Sequence, residues 1–162
     1  MKVAIETRAG EKMKELGLTI ATAESVTGGL IGSRLTDVAG SSVYFMGGVV
    51  AYSNDAKIKL LGVKKETLAE YGAVSEKTAL EMAQGVRASF GTDIGLAVSG
   101  IAGPGGATKD KPVGLMWLAL AAEGVSRSRS VRLAGDRLQN KAGAADHLLA
   151  LLEEYIDTLM PA

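Results

Sequence analysis

Apolar residues along this chain switch between the spacing of an amphipathic helix and the short continuous runs of buried strands. Such runs predict strands at 18–23, 43–52, 93–99 and 113–122, and an alternation of apolar residues with serine and arginine predicts an edge strand at 125–133. Helical spacing, often closed by glycine, predicts helices at 3–16, 29–37, 56–61, 64–71, 76–90 and 136–159.

The order of these elements predicts the fold class. Helices separate the first three strands, as parallel strands require, whereas a short turn at Gly124 joins the last two strands as a hairpin. We therefore expect an α/β fold, a three-layer α/β/α sandwich with a mixed, mostly parallel sheet. No linker or repeat interrupts residues 1–162, so a single domain is expected. We also expect a bulge or close backbone approach at Gly47 and Gly48, and Trp117 in the core.

Composition excludes several classes of partner. Lys plus Arg and Asp plus Glu both number 18, so no global field favours nucleic acid, and no apolar run is long enough to span a membrane. The chain has no cysteine, which excludes thiol catalysis and Cys-ligated zinc and fits a reducing compartment, so we expect a cytoplasmic protein. With one histidine, His147, a two-histidine metal site cannot be built.

A serine stands at the junction between the first predicted strand and the second predicted helix. Ser25 is followed by Thr27, Gly28 and Gly29, and such a junction places backbone N–H groups at the mouth of a cleft. Ser25 is therefore a candidate nucleophile with an oxyanion site beside it. The alternative is that Ser25 or Thr27 only caps the helix.

The candidate base follows from what the chain lacks. A Ser-His-Asp triad would need His147, and a lone histidine on a helix is more often packed or solvated. Lys57, in the segment Tyr52 to Lys57 after the second strand, becomes a general base if burial lowers its pKa. Taken alone, a lysine on a short helix is more often a solvated surface residue.

Two further segments are candidates for binding an anion. The glycine-rich loop that starts at Gly100 does not match a P-loop, because Thr108 stands where that motif requires its second glycine. Its N–H groups can still hold a phosphate or a carboxylate. Asp136 is expected to cap the last helix, which places Arg137 in the first turn. The helix dipole disfavours a cation there, and this indicates that Arg137 binds an anion.

Taken together, these segments resemble the CinA C-terminal domain family, and the resemblance covers about residues 2–152. It rests on six strings that occur in the family's order, AESVTGG at 23–29, YSNDAK at 52–57, GAVS at 72–75, SGIAGPGG at 99–106, KPVG at 111–114 and GDR at 135–137. One departure is Val26, which stands where the family usually has cysteine. Pocket shape, rather than the chemistry, is the property that this departure affects.

The resemblance implies an enzyme that hydrolyses the carboxamide of nicotinamide mononucleotide to nicotinate mononucleotide and ammonia. It implies a serine–lysine dyad at Ser25 and Lys57, with neither metal nor cofactor. We expect the nucleotide substrate to contact Thr27, Gly28, Gly29, Tyr52, Asn54, Ser99, Gly100, Gly103, Gly105, Gly106 and Arg137. A homo-oligomer is expected. The alternatives are a non-catalytic nucleotide-binding or regulatory module linked to competence or DNA damage, and a serine–lysine hydrolase of a different amide.

Overall fold

A five-stranded sheet with the order β2-β1-β3-β4-β5 forms the centre of the computed structural model, which describes residues 1–162. Pairing is parallel among β1, β2 and β3, and β4 is antiparallel to both β3 and β5, so four strands share one direction. The strands are β1 (Ile20–Glu24), β2 (Phe45–Val50), β3 (Ile94–Gly100), β4 (Leu115–Ala122) and β5 (Val125–Arg132). The expected mixed, mostly parallel sheet is confirmed.

Helices cover both faces of this sheet, which confirms the three-layer α/β/α sandwich. On one face, α6 packs with α1 and α2, and on the other face α5 packs with α3 and α4. The helices are α1 (Ile5–Leu16), α2 (Leu30–Thr36), α3 (Asn54–Leu61), α4 (Lys65–Tyr71), α5 (Glu76–Phe90) and α6 (Arg137–Leu159). Every predicted element is present with bounds within two residues, and one unpredicted 3-10 turn lies at Ser41–Val43.

The two faces of the sheet differ in side-chain size. The face towards α6 carries large residues such as Leu96 and Leu118, and the face towards α5 carries alanines such as Ala97 and Ala119. Because successive residues of a strand point to opposite faces, this difference follows directly from the sequence of β3 and β4. The small face lets α5 approach so closely that a Cβ at Gly95 would lie 2.2 Å from the Ala83 carbonyl oxygen.

Strand β2 contains the irregularity expected from its glycines. Ile20 pairs with Phe45 and Ala21 pairs with Gly47, so Met46 is the extra residue of a bulge. A Cβ at Gly48 would lie 2.3 Å from Thr22 Oγ1 on the neighbouring strand, which also confirms the close backbone approach.

The direction of the strands determines where polar residues can meet. The carboxyl ends of β1, β2 and β3 lie at one edge of the sheet, and β1 lies between the other two, so the chain leaves β1 and β3 in opposite directions. Open α/β sheets bind ligands in the crevice at such a point. None of the helices is long and apolar enough to cross a membrane.

Candidate active site

Ser25 and Lys57 face each other at this edge. Ser25 follows the last residue of β1, and Lys57 lies in the first turn of α3, where Ser53 caps the helix by accepting a hydrogen bond from the Ala56 N–H. Lys57 Nζ lies 3.0 Å from Ser25 Oγ and 3.1 Å from the Tyr52 carbonyl oxygen. The structure therefore brings together the two residues expected to form the dyad, within hydrogen-bond distance.

Lys57 is buried without a counter-charge. Its residue is 1% exposed, and no carboxylate lies within 4.0 Å of its amine. Burial disfavours the ammonium form and lowers the pKa of Lys57 below its usual value. A neutral amine beside a hydroxyl is an arrangement in which the amine can accept the hydroxyl proton.

A buried carboxylate shapes the turn that carries Ser25. Glu24 is 2% exposed, and its Oε1 accepts hydrogen bonds from Thr27 Oγ1 at 2.6 Å, from the Ile31 N–H at 2.9 Å and from the Gly29 N–H at 3.2 Å. Its Oε2 accepts from the Gly32 N–H at 3.1 Å. The carboxylate thus occupies the positive end of α2, and its two oxygens hold the turn against the start of that helix.

This carboxylate decides which N–H groups remain free next to Ser25. The Gly28 N–H donates to the Ser25 carbonyl oxygen, and the Gly29 N–H donates to Glu24. The N–H groups of Val26 and Thr27 donate to no atom of the chain. They are the donors in this turn that remain available for a developing oxyanion.

The glycine-rich loop lines a cavity of about 280 Å³ beside the dyad. Gly100, Gly103, Gly105 and Gly106 line it, together with Ser25 and residues of the β2–α3 connection that include Tyr52, Asn54 and Lys57. The N–H groups of Ala102, Gly103, Gly105 and Gly106 donate to no atom of the chain. Such a row of free N–H groups suits an anionic oxygen.

Arg137 crosses the mouth of this cavity. It is the first residue of α6, after the Asp136 cap, and the cap is confirmed because Asp136 and Gln139 form a reciprocal capping box. The guanidinium donates to the Gly103 carbonyl oxygen at 2.8 Å and to the Tyr52 hydroxyl at 3.3 Å. Arg137 and Tyr52 are both exposed, so their polar groups are accessible to a ligand.

Four residues expected to contact the substrate do not line the cavity. Thr27, Gly28 and Gly29 form the turn itself, in which the Thr27 hydroxyl and the Gly29 N–H donate to Glu24 and the Gly28 N–H donates to the Ser25 carbonyl oxygen. Ser99 is 1% exposed, and its hydroxyl donates to the Ala73 carbonyl oxygen at 2.7 Å. Ala73 lines the cavity in place of Ser99, and the hydroxyls of Thr27 and Ser99 hold the turn after β1 and the segment 72–75 in position.

Two positioning residues were missed from the sequence. Glu24 belongs to the AESVTGG string at 23–29, in which the sequence alone indicates no role for it. Asn140, which is 1% exposed, donates through Nδ2 to the carbonyl oxygens of Ala102 and Gly135 and accepts from the Gly135 N–H. Asn140 thus joins the glycine-rich loop to the start of α6. Its spacing in the sequence, three residues after an arginine at a helix start, is too common to indicate this role.

His147 plays no part in this arrangement, because it lies exposed on α6. The expectation that it is packed or solvated rather than part of a triad is therefore confirmed.

Fold and site together define a class of protein. It is an α/β/α sandwich with a buried serine–lysine pair at the carboxyl ends of its parallel strands. The chain belongs to the CinA C-terminal domain family, whose family model matches residues 2–156. A CinA-like protein from Kosmotoga olearia is 56% identical over 132 residues, which cover 80% of this chain and 32% of that protein. A CinA-like protein from Chloroherpeton thalassium is 50% identical over 157 residues, covering 94% of this chain and 37% of that protein.

The chain thus spans about a third of the length of these curated relatives. Solved structures match it over nearly their whole length. A CinA superfamily protein from Klebsiella pneumoniae has a TM-score of 0.92 at 35% identity, with 95% of this chain and 96% of that chain covered. A competence/damage inducible protein from Agrobacterium tumefaciens has a TM-score of 0.88 at 39% identity, with 95% and 98% covered.

The lowered pKa of Lys57 predicts a pH-dependent stability difference between the protein and its Lys57→Met variant. Between the lowered folded pKa and the unfolded value of about 10.4, the unfolded chain binds more protons at Lys57, so the free energy of unfolding contributed by this group rises with pH. We expect Lys57→Met to be the more stable protein near neutral pH and its advantage to shrink towards pH ~10.4. Denaturant unfolding across pH measures this difference, with the exposed Lys59→Met as control. A difference that does not change with pH would contradict a lowered pKa.

Proposed function

We propose that this chain hydrolyses the carboxamide of nicotinamide mononucleotide to nicotinate mononucleotide and ammonia. The observation that carries the proposal is the 3.0 Å contact between Lys57 Nζ and Ser25 Oγ, in which the amine is buried and has no carboxylate partner. The choice of this amide rests on the resemblance to the CinA C-terminal domain family in the motifs that contain Ser25, Lys57 and Arg137.

The first half of the reaction uses the neutral amine as a general base. Lys57 takes the proton from Ser25 Oγ while Oγ attacks the carboxamide carbon, which gives a tetrahedral oxyanion. The N–H groups of Val26 and Thr27 donate to that oxyanion, and each such donor contributes on the order of 3 kcal/mol to the transition state. The Lys57 ammonium then protonates the leaving nitrogen, the C–N bond breaks and ammonia departs, which leaves an ester on Ser25.

The second half returns the enzyme to its starting state. Lys57, again neutral, takes a proton from water, and the resulting hydroxide attacks the ester carbon. The second tetrahedral intermediate expels Ser25 Oγ, which recovers its proton from Lys57. Nicotinate mononucleotide is released with one oxygen from water.

The anionic end of the substrate needs a separate site. Gly103, Gly105 and Gly106, whose N–H groups are free, and Arg137 line the same cavity as Ser25. We assign the ribose phosphate to these groups, because a guanidinium and free N–H groups bind phosphate through charge-assisted hydrogen bonds. The positive end of α2 is not assigned this role, since the Glu24 carboxylate occupies it.

A non-catalytic nucleotide-binding module explains these features less well. Removing an amine from water without a counter-charge destabilises the fold, and binding a nucleotide gives no reason to do so next to a hydroxyl. A base that must be neutral near pH 7 does give a reason.

Replacing either member of the dyad should abolish turnover. We expect Ser25→Ala to lower kcat by at least about three orders of magnitude with the fold intact, as covalent nucleophiles do. Lys57→Arg should be nearly inactive, because a guanidinium stays protonated. Ammonia release from nicotinamide mononucleotide measures both variants, with the exposed Ser33→Ala and Lys59→Arg as controls. More than about a tenth of wild-type kcat in either variant would refute the assigned role.

Arg137 should distinguish substrates that carry the phosphate from those that lack it. A charge-assisted hydrogen bond contributes about 1.5–3 kcal/mol, so we expect Arg137→Ala to raise KM for nicotinamide mononucleotide by about 10–100-fold. Turnover of nicotinamide riboside, which lacks the phosphate, should change much less. The decisive quantity is the ratio of kcat/KM for the two substrates, with the exposed Arg132→Ala as control. An unchanged ratio in Arg137→Ala would show that Arg137 only holds Gly103 and Tyr52 in place.

A further inference from the structure

The largest cavity of the molecule is separate from the candidate active site. It has a volume of about 550 Å³, within the range of ligand pockets, and lies between α4, the start of α5 and strand β4. Two strings of the family resemblance that the proposed reaction leaves without a catalytic role meet here, because Val74 of the 72–75 string and Lys111 of the 111–114 string both line it.

Trp117 lines this cavity, and the expectation that it lies in the core is met in part, because it packs against the smaller core cluster while remaining partly exposed. Within β4 it is the one residue that is not fully buried, and the alanines beside it on the same face lie under α5. The first turns of α5 pass beside the indole and contribute Leu80 to the wall, while Tyr71 contributes an aromatic ring at the end of α4. The exposed apolar surface is thus concave and largely aromatic, which suits a planar ring.

Two lysines give this cavity a positive rim. Lys77 Nζ lies 5.2 Å from the centre of the Tyr71 ring, and Lys111 Nζ donates to the Tyr71 carbonyl oxygen. Neither amine has a carboxylate within 4.0 Å. The one acidic residue at the cavity is Glu76, and its carboxylate accepts a hydrogen bond from Ser128 Oγ at 2.6 Å. The rim therefore carries an excess of one positive charge.

The segment 72–75 separates the two cavities. Ala73 lines the cavity that holds Ser25, and Val74, the next residue, lines the cavity that holds Trp117. The segment is anchored on both sides, because Ser99 Oγ donates to the Ala73 carbonyl oxygen and Thr78 Oγ1 donates to the Gly72 carbonyl oxygen.

From this placement we propose that the Trp117 cavity is a second ligand site, which binds a small aromatic anion with its ring against Trp117 and Tyr71 and its charge between Lys77 and Lys111. The site is independent of the proposed reaction, since it shares no residue with the cavity that holds Ser25 and Lys57.

The test uses the fluorescence of Trp117, which is the one tryptophan of the chain and therefore reports directly from the cavity. The probes are two matched pairs, AMP with adenosine and benzoate with benzamide, together with ribose 5-phosphate as an anion without a ring. We expect the charged member of at least one pair to change the emission saturably, with an apparent Kd at least about tenfold below that of its uncharged partner. Ribose 5-phosphate should leave the emission unchanged.

Variants then locate the bound probe. The double variant Lys77→Ala, Lys111→Ala should raise the apparent Kd at least about tenfold, and Lys109→Ala, an exposed lysine of the same loop, should not. Circular dichroism checks folding. If the double variant is unstable, the single variant Lys77→Glu replaces it, because it keeps the Lys111 contact. Arg137→Ala should leave the titration unchanged.

Three outcomes would overturn the proposal. The first is no saturable change with either charged probe. The second is a change lost in Arg137→Ala but kept in the lysine variants, which would place the probe in the other cavity. The third is an emission that depends on protein concentration alone, together with a larger mass by light scattering, which would assign the cavity to a second copy of the chain.

Discussion

The amine of Lys57 is surrounded by protein and has a hydroxyl and a carbonyl oxygen as its hydrogen-bond partners, with no negative charge nearby. In such a place the charged form is disfavoured, so the fold gives up stability to hold a lysine there. The same burial lowers the pKa of the Lys57 amine, which favours the neutral form that a general base needs. Stability and the proposed chemistry are therefore coupled through one side chain. A substitution that stabilises the fold by removing this amine is expected to abolish the reaction.

The sheet provides the geometry that this contact needs. Because β1 and β2 are parallel neighbours, the turn after β1 and the helix after β2 start at the same edge, and Ser25 meets Lys57 across it. Glu24, the last residue of β1, then divides the surrounding N–H groups. It binds those at the start of α2 and leaves those of Val26 and Thr27 free, so the proposed oxyanion donors lie in the turn after β1 and the phosphate is assigned to the glycine-rich loop and Arg137.

Several features of this site follow from the sequence alone. The apolar runs and glycine stops predicted the strands and helices, and the parallel order placed Ser25, Tyr52 and Gly100 at strand ends that share an edge. The absence of cysteine and the single histidine narrowed the candidate base, and the family resemblance pointed to Lys57.

Other features depend on contacts that spacing does not encode. Thr27 and Ser99 looked like ligand contacts, but tertiary packing placed Glu24 and Ala73 within reach of their hydroxyls. Asn140 joins Gly135, five residues before it, to Ala102, 38 residues before it, only because α6 starts beside the glycine-rich loop. Trp117 was expected in the core since its neighbours are apolar, and it does pack against the smaller core cluster but remains partly exposed beside α5.

The measurement that tests the central claim most directly is the pKa of Lys57 itself. In protein labelled with ¹³C-lysine, the ε-carbon shift of Lys57 can be followed across pH by NMR and assigned by its absence in Lys57→Arg. The account predicts a titration midpoint for Lys57 below the usual lysine value of about 10.4. A Lys57 midpoint at or above that value would mean that the amine is charged at neutral pH, and it would contradict the assignment of Lys57 as the base.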